Sequence, residues 1–432
     1  MTKIFFVNDT SDSANWGCRA TTAALRSMIE QHGEITQVLY LRRMSATDRY
    51  IQKDFKRVEA YCSQIFTHLP TGKSLTQYVN TRWIKPRWAR LAGSRDAMPT
   101  TWDEFHSFAL KVLAGEILQP ERAALETCDL VFINGEGSIY DRQRKGRMML
   151  FIAYLAKVHF DKPCVLANHT ADIHDPVMAQ MVAKVYPLLD DIVFREPLSA
   201  AACRPFVRDS NSILSADAAF TYRPATRTAL SAIGNRPDYF SIWPDSARGF
   251  DPTNPYICVG GSSIYSRRDR PTYDPIPGFK ALCDHLNQSV APVVLTAPDP
   301  KDEKIFRPIA KELGLPLIAL NTPTQQAVDI LGNASVYISG RWHPSILALT
   351  GGTPIITFTA NTYKTQALLQ QIGLNAQTFD ALNLHKEAKD IIELAETYIA
   401  QGDALRQKLQ EQASTLSDLA WQNVRYLERL KQ

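Results

Sequence analysis

The sequence lacks the long apolar run that a membrane-spanning helix requires. No stretch approaches the roughly 18 apolar residues that would cross a bilayer. The N-terminal segment MTKIFFVNDTSD turns polar after a short apolar run, which is too brief for the core of a signal peptide. We therefore expect a cytoplasmic protein that contacts a membrane, if at all, peripherally and from its inner face.

Strong charge of one sign is also missing. The 48 Lys and Arg residues nearly balance the 44 Asp and Glu residues, for a net charge of +4. This balance favours anionic ligands only slightly and argues against a nucleic-acid partner. The 7 cysteines stand singly, with no C-x-x-C pair, which indicates reduced and mostly buried thiols rather than a metal site.

What the sequence does have is an alternation of short apolar strands and longer helical patterns. This rhythm is typical of parallel α/β units, and 432 residues favour two domains. We predict an α/β fold with two Rossmann-like domains facing a cleft. The predicted parts are an N-terminal domain (1–222) with a helical insertion (about 42–127), a proline-rich linker (223–254), a C-terminal domain (255–383) and C-terminal helices (384–432).

The carboxyl ends of the predicted strands carry the unusual residues, and open parallel sheets bind ligands there. The predicted strands are Lys3–Val7, Glu34–Leu41, Cys128–Asn134, Pro163–Asn168 and Asp191–Arg195 in the first domain, and Tyr256–Gly261, Val293–Ala297, Pro316–Leu320, Val336–Ser339 and Pro354–Phe358 in the second.

Two glycine-containing motifs stand out in the first domain. Asn15-Trp16-Gly17 opens the first helix, where free N–H groups would favour an anion, although a plain strand-to-helix turn explains it equally well. The segment Asn134–Ser138 predicts a tight turn that brings Glu136 to the cleft. Glu136 could accept hydrogen bonds from sugar hydroxyls or act as a base, and a structural role for the glycines is the alternative.

The polar run from Asn168 to His174 predicts a loop lining the cleft. His169, Asp172 and His174 could suggest a metal, but no further ligand cluster accompanies them, so we predict no metal site. Arg195 could hold a carboxylate or a phosphate through two hydrogen bonds, or it could pair with a neighbouring acid. Asp217 follows a short apolar run and could line the cleft or cap a turn.

The second domain carries the sharpest signal, Ser339-Gly340-Arg341-Trp342-His343-Pro344-Ser345. A helix beginning near Pro344 would place His343 near its N-cap, with Arg341 beside it, which suits phosphate binding and proton transfer. Lys364 follows the next strand near the same edge. Gly260, Ser262 and Arg267 follow an earlier strand and predict a further anion site, unless the arginines there are only solvated.

Another basic stretch, Arg82–Arg90, interleaves cations with Trp83 and Trp88. It could dock on anionic lipid headgroups or on a lipid-linked acceptor. A helix with buried tryptophans and solvated cations is the favoured alternative, because Pro86 lies inside the stretch.

In their order along the chain, these motifs resemble those of the polysaccharide pyruvyl transferase family. The residues that carry the resemblance are Asn15-Trp16-Gly17, Asn134–Ser138, Arg195-Glu196-Pro197-Leu198-Ser199, Asp217, Ser339–His343, Gly351-Gly352-Thr353-Pro354 and Lys364. The chain departs from the family pattern at Glu136, where a third glycine is usual, at Trp342, where a small or aliphatic residue is usual, and in the 42–127 insertion.

The resemblance implies a glycosyltransferase-B-like fold and phosphoenolpyruvate as donor. Arg341 and His343 would contact the donor and Arg195 would assist. The pyruvyl group would pass as a ketal to a sugar of a surface polysaccharide or of a lipid-linked oligosaccharide precursor. This chemistry requires neither a metal nor a redox cofactor, and we predict none.

The candidate site residues fall into three sets. The catalytic set is His343, Arg341 and Glu136; the donor-binding set is Arg195, Arg341, Lys364, Gly260, Ser262 and Arg267; the acceptor-binding set is Asn15, Trp16, Gly17, Glu136, His169 and Asp217. Two other functions remain open from the residues alone: a glycosyltransferase with a nucleotide-sugar donor, and a non-catalytic protein that binds sugars or anions.

Overall fold

The computed structural model describes residues 1–41, 98–234, 239–266, 273–374 and 377–431. Within these ranges the strands form two separate sheets. The first sheet is parallel, in the order β2-β1-β3-β4-β5-β6. Its strands are β1 (Thr2–Val7), β2 (Gly33–Leu39), β3 (Leu130–Tyr140), β4 (Cys164–Asp172), β5 (Asp191–Phe194) and β6 (Ser212–Leu214).

The second sheet has the order β13-β12-β11-β8-β9-β10-β7 and is parallel except at β7. Its strands are β7 (Ile242–Trp243), β8 (Ile257–Ser262), β9 (Val293–Thr296), β10 (Leu317–Ile318), β11 (Val336–Gly340), β12 (Ile355–Phe358) and β13 (Thr378–Phe379).

Helices connect the strands, as the alternating pattern predicts. Over the described ranges they are α1 (Trp16–Glu30), α2 (Phe105–Leu113), α3 (Gln119–Thr127), α4 (Arg144–Val158), α5 (Pro176–Val185), α6 (Pro197–Cys203), α7 (Arg227–Gly234), α8 (Ile276–Ser289), α9 (Pro300–Leu313), α10 (Thr324–Gly332), α11 (Trp342–Leu349), α12 (Lys364–Ile372), α13 (Leu384–Ala420) and α14 (Arg425–Arg429). None of these helices is both long and apolar enough to cross a membrane.

The predicted helical insertion is described only in part. Its residues 98–127 contain α2 and α3. Residues 42–97, and with them the basic stretch Arg82–Arg90, lie outside the described residues.

Both faces of the first sheet are buried, as in other parallel sheets with helices on either side. Alternate residues of β1 show this directly. Phe5 and Val7 pack into a core made by the first domain alone. Ile4 and Phe6 pack into a core that continues into the second domain. The two sheets are therefore joined by buried apolar surface.

The C-terminal tail is helical, as predicted, and it returns to the first domain. Gly402 has a left-handed φ of 53° and kinks α13. Beyond α13, the Asn423 side chain accepts a hydrogen bond from the backbone N–H of Asn168 (2.8 Å) and donates to the carbonyl of Ala216 (2.9 Å). The tail thus ties the two halves of the chain together.

The segment predicted as a linker, 223–254, contains regular structure. It includes α7 and β7. Strand β7 pairs antiparallel with β10, with Trp243 opposite Leu317. Pro244 directly follows β7, and this edge strand still joins the second sheet.

The turn predicted at Asn134–Ser138 and the loop predicted after Asn168 are not present. The strands β3 and β4 continue through these segments instead. Strand β3 runs on to Tyr140 through the Asn134–Ser138 segment, and β4 runs on to Asp172 through the predicted polar loop. Glu136 (φ 43°) and Asn168 (φ 53°) adopt left-handed backbone angles. The register shifts after Glu136, so the strand is bent without ending.

The start of α11 also differs from the prediction. The helix begins at Trp342, so Arg341 is its N-cap and His343 lies in its first turn. Pro344 is compatible with this start, because an N–H in the first turn of a helix has no partner within the helix. The Ser345 hydroxyl donates to the Arg341 carbonyl (2.8 Å) and supports the same turn.

The strand orders locate two crevices. Strand β1 lies between β2 and β3, and strand β8 lies between β9 and β11. In each sheet the chain therefore turns to opposite sides of a central strand, which opens a crevice beyond the carboxyl ends. Glu136, in the extension of β3, lies beside the first crevice. Arg341, directly after β11, lies beside the second.

Candidate active site

Arg195 lies at the centre of the candidate site, directly after β5. Its side chain is almost completely buried. The guanidinium donates from Nε to the Thr170 hydroxyl (2.8 Å) and from Nη1 to Asp217 Oδ2 (2.6 Å). The Trp342 ring lies 5.4 Å from its carbon Cζ. The orientation of Arg195 is thus fixed by groups from both domains.

Asp217 is the anion that holds this cluster together. It is fully buried and accepts hydrogen bonds from Arg195, from Trp342 Nε1 (3.1 Å) and from the Thr21 hydroxyl (3.1 Å). Burial opposes its ionisation, but the charges of Arg195 and His343 outweigh burial and hold the pKa of Asp217 well below its ordinary value. Asp217 is therefore a fixed negative charge beneath the site.

His343 is the most accessible group of this cluster. Its Nε2 lies 3.2 Å from Arg195 Nη1 and 3.4 Å from Asp217 Oδ2. The side chain of His343 keeps 12% of its surface exposed, whereas those of Arg195 and Asp217 keep 1% and 0%. The other side of the ring packs on Gly17: a Cβ at position 17 would lie 2.3 Å from Nδ1. His343 is thus accessible to a ligand, while its contact with Gly17 fixes the position of the ring.

Lys364 brings a second cation to the same place. The Lys364 Nζ and Arg195 Nη2 atoms lie 3.0 Å and 3.2 Å from the position that a Cβ on Gly137 would take. Burial lowers the pKa of Lys364 to about 8, and the charge of Arg195 adds to this shift. Because Gly137 has no side chain, both cations can lie close to its backbone, and the two positive charges together would attract a small anion.

Glu136 approaches this place from the first domain. Its Oε1 accepts a hydrogen bond from the Thr10 hydroxyl (2.6 Å), and Glu136 is nearly buried. The charge of Glu136 raises the pKa of Lys364 and so opposes the effect of burial. A carboxylate, a hydroxyl and an ammonium group therefore gather at the β1–β3 crevice.

Arg341, predicted to contact the donor, is paired with a buried carboxylate. Its Nε and Nη2 atoms donate to the two carboxylate oxygens of the buried Asp302 (2.8 and 2.7 Å), and Asp299 lies 3.5 Å from Nη2. This edge of the guanidinium, which would grip a phosphate through two hydrogen bonds, is occupied by a carboxylate. The structure favours Arg341 as a group that fixes the start of α11.

The Asn15-Trp16-Gly17 motif joins the domains, and the anion site predicted at its free N–H groups is corrected. The Asn15 side chain accepts from the N–H groups of Gly17 (2.9 Å) and Cys18 (3.3 Å), and the Trp16 N–H donates to the Pro298 carbonyl (3.1 Å). Trp16 Nε1 donates to the Leu320 carbonyl (3.0 Å). These N–H groups already have partners.

His169, predicted to contact the acceptor, is buried inside the first domain. Its Nε2 lies 2.5 Å from the Tyr186 hydroxyl, and a Cβ at Gly135 would lie 2.7 Å from its Nδ1. Burial and the charge of Arg195 lower the pKa of His169 to about 3, so the ring is neutral. His169 supports the glycine segment from below and has no surface in the crevice.

Gly260 and Ser262, predicted to bind the donor, are also buried. A Cβ at Gly260 would lie 2.6 Å from the Tyr337 hydroxyl, and the Ser262 hydroxyl donates to the Thr359 carbonyl (2.5 Å). Both residues serve close packing within the second sheet. Arg267 lies outside the described residues.

Several residues at the site are not among the sequence-based candidates. Thr10 follows β1 and Thr170 lies near the end of β4, so the strand-end rule could have found both, whereas Asp302 lies in the first turn of α9. Trp342, noted only as a departure from the family pattern, donates to Asp217. Among the described residues, no cluster of three or more His, Cys, Asp or Glu side chains could hold a metal ion.

Similar solved structures define the class of fold. The UDP-GlcNAc 2-epimerase from Neisseria meningitidis bound to UDP-GlcNAc has a TM-score of 0.53 and 10% identity, and the match covers 99% of this chain and 100% of that one. UGT89C1 from Arabidopsis thaliana complexed with quercetin has a TM-score of 0.53 and 11% identity, covering 99% and 98%. The fold is thus glycosyltransferase-B-like, as predicted. No curated protein sequence matches the chain.

The amino-acid sequence identifies the family of the protein. Residues 15–362 match the polysaccharide pyruvyl transferase family. The match spans both sheets and includes Asn15, Arg195, Asp217 and His343. The chain belongs to the polysaccharide pyruvyl transferase family, and it is a transferase. The predicted resemblance is confirmed.

Proposed function

We propose that the protein transfers a pyruvyl group from phosphoenolpyruvate to a sugar of a surface polysaccharide or of its lipid-linked precursor. The observation that carries this proposal is the convergence of three groups in a chain of this family: Arg195 and Lys364 meet at Gly137, and His343 lies 3.2 Å from Arg195 Nη1. Two cations and an imidazole suit a small donor that carries both a phosphate and a carboxylate.

The donor would bind beside Arg195 and Lys364, whose Nη2 and Nζ atoms both lie close to Gly137. The phosphate and the carboxylate of phosphoenolpyruvate could then each meet a cation. An anion here would also relieve the repulsion between Arg195 and Lys364 that lowers the pKa of Lys364. Arg341 would act indirectly, through its pair with Asp302 and its position as N-cap of α11.

The reaction needs a proton on the donor before the acceptor attacks. Protonation of the methylene carbon makes C2 electrophilic, and a sugar hydroxyl adds to C2 as it loses its own proton. The C2–O bond to phosphate then breaks, and phosphate leaves with the bonding electrons. A second hydroxyl adds to C2 and loses its proton, which closes the ketal.

His343 is our candidate for the group that transfers protons. It is the most exposed member of its cluster, and its Nε2 lies 3.4 Å from Asp217 Oδ2 and 3.2 Å from Arg195 Nη1, which hold the ring in position. Glu136 is the candidate base for the acceptor hydroxyl, because it stands at the crevice with its Oε1 held by Thr10. Arg195 and Lys364 would stabilise the departing phosphate.

The acceptor would enter from the β1–β3 crevice, where Glu136, oriented by Thr10, would accept hydrogen bonds from sugar hydroxyls. The stretch Arg82–Arg90, outside the described residues, stays our candidate for contact with a lipid-linked acceptor or the membrane surface. Charge reversal at Arg87 and Arg90 would then weaken use of a lipid-linked acceptor more than use of a soluble analogue.

The proposal is tested by incubating the purified protein with phosphoenolpyruvate and a panel of sugar acceptors. We expect phosphate release that depends on the acceptor, together with a new ketal methyl signal in the proton NMR spectrum. A parallel reaction with UDP-GlcNAc and the same acceptors serves as the control. Sugar transfer from UDP-GlcNAc, without any product from phosphoenolpyruvate, would replace this proposal with the glycosyltransferase alternative.

A further inference from the structure

A pocket of about 570 Å³ opens at the edge of the second sheet opposite the candidate active site. Gly332 and Asn333 precede β11, and Thr350 and Gly351 precede β12, so these pocket residues lie at the amino ends of the strands. The start of α7 and the part of α13 beyond Gly402 complete the wall. A volume of this size is typical of sites for small molecules.

The charged groups of this pocket are mainly positive. Arg223, Arg227 and Arg406 line it, together with one carboxylate, Asp403. Arg406 donates from Nη1 to the carbonyls of Gly332 (2.9 Å) and Gly351 (2.6 Å). These partners are neutral carbonyls, so they orient the guanidinium without cancelling its charge.

Arg227 and Arg406 repel each other. Burial lowers the pKa of Arg406, and the positive charge of Arg227 lowers it further. Arg227 stands at the first residue of α7, where the helix end adds partial positive charge. An anion between Arg227 and Arg406 would be attracted by both.

Close glycine contacts build the floor of the pocket. A Cβ at Gly351 would lie 2.0 Å from the Gly332 carbonyl oxygen, and a Cβ at Gly352 would lie 2.4 Å from the Arg406 carbonyl oxygen. Only glycine permits this approach of α13 to the turn before β12, and this approach is what brings Arg406 to its carbonyl partners. The pocket is therefore built by the sequence and is not a loose gap between helices.

Neutral polar groups surround the cations. Asn333 donates from Nδ2 to the Ala225 carbonyl (3.0 Å), and Gln410 donates from Nε2 to the Gly351 carbonyl (3.0 Å). These bonds hold both amides in the wall of the pocket. Ser414 adds a hydroxyl. Such groups match the hydroxyls of a sugar.

We propose that this pocket binds a small sugar phosphate, with the phosphate between Arg227 and Arg406 and the sugar hydroxyls on Asn333, Gln410 and Ser414. The site is separate from the donor site and does not depend on the proposed pyruvyl transfer. Its ligand would bind at the amino ends of β11 and β12, whereas the cluster around His343 lies at the carboxyl ends.

The test is isothermal titration of the full-length protein with glucose 1-phosphate, with inorganic phosphate and glucose as separate probes. We expect saturable binding of glucose 1-phosphate, weaker binding of phosphate and none of glucose. Arg227→Gln should weaken glucose 1-phosphate binding at least tenfold, because the exposed side chain contributes charge to the pocket. Lys408→Gln, which removes an exposed cation of α13 outside the pocket, should leave binding unchanged.

Three results would overturn the proposal. They are no saturable binding of glucose 1-phosphate at millimolar concentration, equal binding of inorganic phosphate, and equal weakening by Arg227→Gln and Lys408→Gln. Melting temperatures of both variants verify that they fold. A loss of pyruvyl transfer in other experiments would not bear on this site, because neither variant touches the active-site cluster.

Discussion

At the residue scale, the site depends on buried polar groups that satisfy one another across the two domains. Asp217 and Thr170 come from the first domain and Trp342 and His343 from the second, and all of them converge on Arg195. Breaking one such contact leaves a buried charge without a partner, which is costly. Informative substitutions at the site are therefore those that preserve size and hydrogen bonding.

His343→Gln is such a change. Glutamine can keep a hydrogen bond toward Asp217 or Arg195 but cannot shuttle a proton at neutral pH. We expect turnover to fall by ~10²–10⁴ while phosphoenolpyruvate binding changes far less. Single-turnover kinetics and a binding titration on the same preparation measure the two effects. Near-full turnover in a folded variant would make His343 an orienting residue and move the acid to Glu136 or Lys364.

The ionisation of Lys364 should determine how activity depends on pH. Its lowered pKa of about 8 means that the free enzyme loses this cation as the pH rises through 8. We expect kcat/KM for phosphoenolpyruvate to hold below that pH and to fall above it, because kcat/KM reports groups of the free enzyme. Lys364→Arg, which stays charged, should lack this alkaline decline. The same decline in both proteins would exclude Lys364 as its cause.

At the element scale, the starts of α1 and α11 meet at the site. Asn15 caps α1 and donates from Nδ2 to Asp299 (3.2 Å) of the second domain, while Gly17 packs on the His343 ring. A change in how these two helices approach would move His343 relative to Arg195. Gly17 thus allows the two domains to approach each other closely at this point.

Gly17→Ala tests this contact. The added methyl would lie 2.3 Å from His343 Nδ1 and 2.5 Å from its Cβ, so the ring or the helix must move. We expect turnover to fall by about 10²-fold, because misplacement of a catalytic group by about 1 Å costs that much. Gly249→Ala, where no heavy atom lies within 4 Å, is the matched control. Equal activity of both variants would show that the contact is dispensable.

The sequence predicts the elements better than their ends. Apolar runs mark the cores of β1, β3, β4, β8, β11 and β12, because buried parallel strands are apolar throughout. The ends of β3 and β4 are missed because their last residues are polar and include left-handed Glu136 and Asn168, which resemble a turn in sequence. Pairs such as Arg341 with Asp302 depend on how helices pack, which local pattern does not encode.

At the scale of the whole molecule, the C-terminal tail helps to hold the domains in one arrangement. A core is shared between the sheets, and the buried Asn423 bridges backbone groups of Asn168 and Ala216. Arg425 adds hydrogen bonds to the buried Asp191 (2.9 Å from Nε to Oδ2). The geometry of the site thus depends on contacts made far along the chain.

Asn423→Ala should weaken this arrangement. The buried N–H of Asn168 and carbonyl of Ala216 would lose a partner, and an unsatisfied buried group costs about 1–3 kcal/mol. We expect the free energy of unfolding in urea to fall by about that amount. Gln422→Ala, at the half-buried neighbouring position, should change it little. An unchanged stability for Asn423→Ala would show that the tail does not anchor the first domain.

The central claim is that the Arg195–Lys364–His343 site binds phosphoenolpyruvate. Isothermal titration of the wild-type protein and of Lys364→Met, with phosphoenolpyruvate and with UDP-GlcNAc, tests it most directly. We expect saturable binding of phosphoenolpyruvate by the wild type, at least tenfold weaker binding by Lys364→Met, and no comparable binding of UDP-GlcNAc. Binding of UDP-GlcNAc alone, or phosphoenolpyruvate binding that Lys364→Met leaves intact, would contradict it.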